Sequence, residues 1–267
     1  GQTLTMNASA LTDPTHHHSA LPDDDELRET LHNEVHARPS ARIRLPALVV
    51  SVAVMNQGVS REDECAHLQR LPGQAHLTPA DLQGNFLRLR FEGHTLKWER
   101  HSEFTRYVLV QPLPAHAGAG AQEPELLSSL VLEHAWMQAI PGRTVAAVML
   151  VMATHDLSDP AAALSVGRQW FGGRNVVASM MGNGHSVAIT NFRLQADGFE
   201  RILVLAPEDT SETRVGRISQ RLLELEIYRM MALRGLPVAK KLAAMLAESE
   251  AGLADVTAQL EGKLTSE

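Results

Sequence analysis

The stretch GRISQRLLELEIYRMMALRGLPVAKK, residues 216–241, constrains the fold more than any other. At about 100° per residue, Val215, Ile218, Leu222, Leu225, Leu233 and Leu236 fall on one side of a helix. Leu223, Ile227, Met230 and Met231 widen that side to well over half the circumference. A helix this apolar needs a large partner surface, so it is expected to be mostly buried. Arg217, Arg221, Glu224 and Tyr228 share the narrow remaining face, and Pro237 ends or kinks the helix near Leu236. Glu226 and Arg229 stand at i, i+3 inside the apolar arc, where an unpaired charge is costly. Two readings follow. Either they pair with one another or with backbone, or one of them faces a cleft in the body of the protein.

The surface for this helix comes from the residues before it. Asp23, Asp24 and Asp25 open a first helix, which runs through LRETLHNEVHA and stops before Pro39. The run ALVVSVAV from Ala47 is a buried strand by its β-branched content. Residues 60–70 read as a helix capped by Ser60, with Asp63 completing a capping box. Residues 71–84 read as a loop with one helical turn. From Phe86 to Pro112 the alternation predicts an antiparallel meander turning at Glu92-Gly93. Pro124 to Ala139 is predicted helical, 144–153 a strand, and Pro160 to Trp170 a helix capped by Asp159. Three strands follow, Val176–Met181, Ser186–Leu194 and Phe199–Ala206, with turns at Gly182-Asn183-Gly184 and Asp197-Gly198.

The predicted class is α+β: a mixed, mainly antiparallel sheet with flanking helices, followed by a C-terminal helical hairpin or stalk. The expected divisions are a leader over 1–22, a body over 23–207, and C-terminal helices over 208–267. Beyond Leu242 a weak heptad places Leu246, Leu253 and Leu260 at one position and Leu242 and Val256 at the other. Ser249 and Lys263 interrupt it. It reads as the start of a stalk or as a packed hairpin helix, and a homo-oligomer is expected.

Charge and cysteine content narrow the classes. The net charge of -7 argues against a nucleic-acid partner, and no Lys/Arg run offsets it. Cys65 is the single cysteine, which fits a reducing compartment. No apolar run reaches the ~18 residues needed to span a bilayer. Gly1 to Thr5 reads as foreign sequence ahead of a natural start at Met6, and His16, His17 and His18 as part of a polar leader.

Two polar clusters are candidate sites. The first is His32, Glu34, His36 and Arg38. His32 and His36 are four apart, so on a helix both imidazoles point the same way and are candidate ligands for a divalent metal. A zinc-protease motif requires Glu directly after the first His, and Glu34 is one residue late. The competing reading is a helix end whose His and Arg side chains meet the C-terminal dipole. The second cluster is Glu99, Arg100, His101 and Glu103. Strand alternation sets Glu99, His101 and Glu103 opposite Arg100, which suits a metal site, an acid–base pair or a solvated face of cross-strand ion pairs. Arg217, Arg221, Glu226 and Arg229 of the long helix complete the candidate set. Phosphate-loop and nucleophile-elbow motifs are absent, and Cys65 lies among acids that disfavour its thiolate.

LHNEVHARP (31–39), LKWERHSEFTRY (96–107), PGR (141–143), DGFERILV (197–204) and GRISQRLLELEIYRMMAL (216–233) together resemble a bacterial domain-of-unknown-function family, number thirty-four twenty-two. The resemblance implies a membrane-anchored protein held by a C-terminal region beyond this chain, with the present residues on the cytoplasmic side of the inner membrane. It carries over no activity and no catalytic residue. Two functions fit these readings. One is a regulatory or assembly domain, with His32 and His36 as the ligands of a metal to which it would respond. The other is a metal-dependent hydrolase that gathers His32 and His36 with Glu99, His101 or Glu103, using Arg100 or Arg221 to hold an anionic substrate.

Overall fold

The computed structural model describes residues 40–233 and Gly235. The elements are β1 (Ala47–Met55), α1 (Arg61–Leu68), β2 (Phe86–Phe91), β3 (His94–Arg100), β4 (Phe104–Pro112), α2 (His134–Gln138), β5 (Arg143–Thr154), α3 (Pro160–Trp170), β6 (Val177–Met181), β7 (Ser186–Leu194), β8 (Glu200–Ala206) and α4 (Glu212–Leu233). The eight strands form one sheet in the order β2-β3-β4-β1-β5-β8-β7-β6. Neighbouring strands run antiparallel except β5 and β8, which are parallel, with Val148 opposite Glu200. Helix α3 and the β6–β7 hairpin lie in the connection that makes that parallel pair. The fold is α+β with a mixed, mostly antiparallel sheet, as the sequence predicts.

Strand character explains the layering. Strands β1 and β5 are central and buried on both faces, so they read as continuous apolar runs. One face of β1, Leu48, Val50, Val52 and Val54, packs with Leu68 of α1, Trp136 of α2, and Leu164 and Trp170 of α3. The other face meets α4. Ala47 and Val49 cluster with Val215, Ile218, Leu222 and Leu223, while Ala53 clusters with Ile227 and Met231. Each of these α4 side chains contributes about 1.5–3 kcal/mol on full burial. Strand β2 is at the sheet edge and alternates: Leu89 and Phe91 are buried, while Arg88 and Arg90 are exposed.

Close approach fixes α4. A Cβ at Gly216 would overlap the carbonyl of Ala41, so only glycine lets the helix lie against residues 41–46. The Ile43 N–H donates to the Glu212 carbonyl at 3.0 Å across the same contact. Helix α4 begins four residues before Gly216 because Ser211 Oγ accepts from the Arg214 N–H at 3.2 Å, a cap the apolar periodicity does not register. Two expectations need correction. Leu233, expected in the buried arc, is 72% exposed. Pro124 to Ala139 is helical only over His134–Gln138, with one 3₁₀ turn at Leu127–Ser129. Gln111 of β4 holds the intervening backbone extended. Its Nε2 donates to the Ser129 carbonyl at 2.8 Å, and its Oε1 accepts from the Val131 N–H at 2.9 Å. The expected C-terminal hairpin, its heptad and the helix over 23–37 lie outside the described residues.

Candidate functional site

The second sequence cluster is split by the sheet. Strand β3 ends at Arg100, and His101, Ser102 and Glu103 form the turn into β4. Glu99 therefore faces α4, while Arg100 faces α1. On the α4 side, β3–β4 register puts Glu99 directly opposite Arg106. Arg106 Nη2 donates to Glu99 Oε2 at 2.8 Å, and both residues are buried. His101 Nε2 lies 3.4 Å from the same oxygen, its ring stacked on Phe104. Burial would raise the Glu99 carboxyl, but the Arg106 guanidinium and the His101 contact overcome it and hold the group well below the usual range. Glu103 is half-buried, and burial raises it.

On the α1 side, Arg100 Nη1 pairs with Glu64, and Arg100 Nη2 donates to the Val59 carbonyl at 2.8 Å. Glu64 is fully buried beside an aromatic group: His67 stacks on Trp136 at 4.2 Å, and Tyr107 meets Trp136 edge-on at 5.9 Å. Glu64 Oε2 and His67 Nε2 are buried there without a hydrogen-bond partner among the described residues. Burial depresses His67 to about 4, so its ring is neutral near pH 7.

The charges inside the apolar arc of α4 have resolved into one cluster. Arg229 donates to Glu226 at 2.6 Å and to Glu200 of β8 at 3.3 Å, and its guanidinium sits 5.1 Å from the Phe192 ring centre. Of the two readings of the sequence, the structure shows the mutual pair, extended to Glu200 of β8. Burial and the neighbouring Glu226 carboxylate push Glu200 up to about 8. Glu226 is lowered, because its bonds from Glu200 and Arg229 outweigh its burial. Arg217 and Arg221 are exposed on the outer face of α4. His32, Glu34, His36 and Arg38 lie outside the described residues. Among the described residues no group of three His, Cys, Asp or Glu side chains is placed to hold a metal ion.

One open concavity of about 640 Å³ has a different character. Helix α4 covers the middle of the sheet, and among the described residues nothing covers the outer part of β2, β3 and β4 on that face. Residues 41–47 form the opposite wall, fastened by the Gly216 contact and by the Leu113 N–H to the Pro46 carbonyl at 3.2 Å. Arg42, Arg44, Arg88, Arg90, His94 and Lys97 line it, with Thr95, Ile43, Val108 and Val110, and among the described residues no carboxylate does. The cross-strand register sets Arg88 directly opposite Lys97. Like charges so placed destabilise a sheet. Sequence reasoning missed this site. The outward arginines of FLRLRF are visible in the alternation, but residues 42 and 44 join them only through the three-dimensional path of the chain.

An α+β domain with one helix bound across its sheet and a basic groove beside that helix is the class these observations define. The chain belongs to the family described as protein of unknown function (DUF3422), whose model matches residues 23–267. No curated protein matches it, nor does any solved structure. Among the described residues no helix is long and apolar enough to cross a membrane.

Proposed function

We propose that this chain is a non-enzymatic regulatory or assembly domain, acting on the cytoplasmic side of a membrane to which a C-terminal region beyond it is anchored. The observation that supports this reading is the mounting of α4. Its first half is locked to residues 41–46 through Gly216, and its second half to β8 through Glu226, Arg229 and Glu200. Both attachments are buried or half-buried, so helix and sheet form one body. A helix held at both ends transmits the position of the sheet to whatever follows it in the chain. The pairs in which Glu64, Glu99 and Glu226 are engaged also leave these carboxylates serving as braces. A carboxylate locked to a guanidinium is a poor general base.

Assembly is part of the proposal, and a homo-oligomer formed through the C-terminal residues is its expected form. The test is light scattering on a size-exclusion column, applied to this chain and to the longer natural protein in detergent. A single defined oligomer of the longer protein is expected. A strictly monomeric protein over the full concentration range contradicts the assembly reading.

A further inference from the structure

We infer that the groove between residues 41–47 and the β2–β4 face is a binding site for a phosphate-bearing anion, gripped by Arg88, Arg90 and Lys97, with Arg42 and Arg44 at its rim. It extends the regulatory reading by naming the class of effector, and depends on that reading for its consequence and not for the binding.

Uncompensated charge is the first argument. Arg42, Arg44, Arg88, Arg90 and Lys97 line one concavity, and none makes an ion pair among the described residues. They gather in a chain whose net charge is -7. Three buried carboxylates elsewhere in the fold, Glu64, Glu99 and Glu226, are each matched to a guanidinium. Surface cations kept for solubility have no reason to converge, whereas a site for an anion needs them to.

Lys97 supplies the second argument. It is 8% exposed, flanked across the strands by Arg88 on one side and Val108 on the other. Arg106 is also near; of the two acids that act on Lys97, Glu99 is engaged by Arg106 and Glu224 of α4 accepts from Gln220 at 3.0 Å, and neither forms an ion pair with Lys97 among the described residues. Burying an ammonium without a paired anion is unfavourable, and so is setting it opposite an arginine. A bound anion removes both penalties. Burial and the surrounding cations lower the Lys97 pKa in the free protein, in the direction such an anion would reverse.

Shape and chemistry set the ligand class. Guanidinium forks match phosphate oxygens in a bidentate manner, and an ammonium adds a point charge. The volume, about 640 Å³, is that of a small-molecule site, which favours a single phosphorylated group over a polymer track. Ile43, Leu45, Val108 and Val110 give the groove apolar walls for the carbon portion of the ligand. Lys97 also borders a small void beside Gly216, Ser219, Gln220 and Leu223 of α4. An anion drawn to Lys97 therefore acts within side-chain reach of the helix.

A soluble phosphate ester and a phospholipid headgroup share this chemistry, and the experiment separates them. Titration calorimetry with inorganic pyrophosphate is run beside co-sedimentation with phosphatidylcholine vesicles, with and without phosphatidic acid. Each is applied to the wild-type chain, to the double variant Arg88→Gln/Arg90→Gln, to Lys97→Met, and to Arg168→Gln on exposed α3 surface as control. The expected result is saturable binding in at least one arm. Both groove variants should weaken it at least ~10-fold, the equivalent of losing one charge-assisted contact, while Arg168→Gln leaves it unchanged. Pyrophosphate binding identifies a soluble ester, and vesicle binding without pyrophosphate binding identifies a headgroup. Thermal melts of the variants at or above wild type confirm folding, since each removes repulsion. No binding in either arm, or binding that survives both groove variants, overturns the site. Oligomeric state is read separately, so loss of the anion site and loss of the assembly reading are distinct outcomes.

Discussion

Glu200 and Glu226 sit against the same guanidinium, yet their environments push them in opposite directions. Glu200 is raised to about 8, first by burial and then by Glu226, so it is protonated in the folded protein near neutrality. The unfolded reference is 4.5. A carboxyl raised on folding contributes stability that is fully present below the unfolded value and lost as pH rises through the folded one. Glu226 is lowered, so its contribution is present above the unfolded value and lost in acid. Glu200→Gln should therefore remove a decline in stability between about pH 5 and 8, and its advantage over wild type should grow across that window. Urea midpoints at pH 5, 6.5 and 8 check this; a constant offset at all three would show that Glu200 does not titrate there. Spacing alone left a pair between Glu226 and Arg229 as one of two readings. Glu200 was not visible as the third member, because it arrives from β8 across the sheet. The same holds for Glu99. Alternation placed it on a face, but its partner Arg106 is fixed by hairpin register, and the turn at His101 to Glu103 ends the alternation on which the cluster rested.

At the level of elements, periodic segments were legible and anchored irregular ones were not. Strands β1, β5 and β8, helix α3 with its Asp159 cap, and the capping box of α1 follow from local sequence. The passage from 124 to 139 does not, because the amide of Gln111 and the buried side chains of Leu126, Leu132 and Trp136 hold it against helical propensity. Helix α4 was legible as a buried helix, but its mounting depends on one position. Glycine inside a helix costs about 1 kcal/mol relative to alanine, so Gly216 is there for space. Gly216→Ala should destabilise the protein by about 1–3 kcal/mol despite the better propensity, since backbone and not a flexible side chain fills the site. Chemical denaturation measures it. A neutral or stabilising effect would mean that residues 41–46 are free to move from α4.

Among the described residues, the sheet is braced on one face by three short helices and on the other by one long helix. Buried ion pairs serve as braces, and one groove gathers cations without ion pairs. The family placement was legible in five scattered stretches of sequence, whereas the groove was not, since its cations come from three separate segments. Net charge gave no hint of it: a value of -7 averages over a surface that is locally cationic. The account rests on α4 and the sheet being one cooperative body, which is what lets the sheet and groove influence the chain beyond the helix. Native-state hydrogen exchange tests that most directly. Amides of α4 between Val215 and Met231 should exchange as slowly as those of β1 and β5, opening only with global unfolding. Exchange in α4 several orders of magnitude faster than in a protected sheet would contradict the account, because a helix that detaches alone transmits nothing.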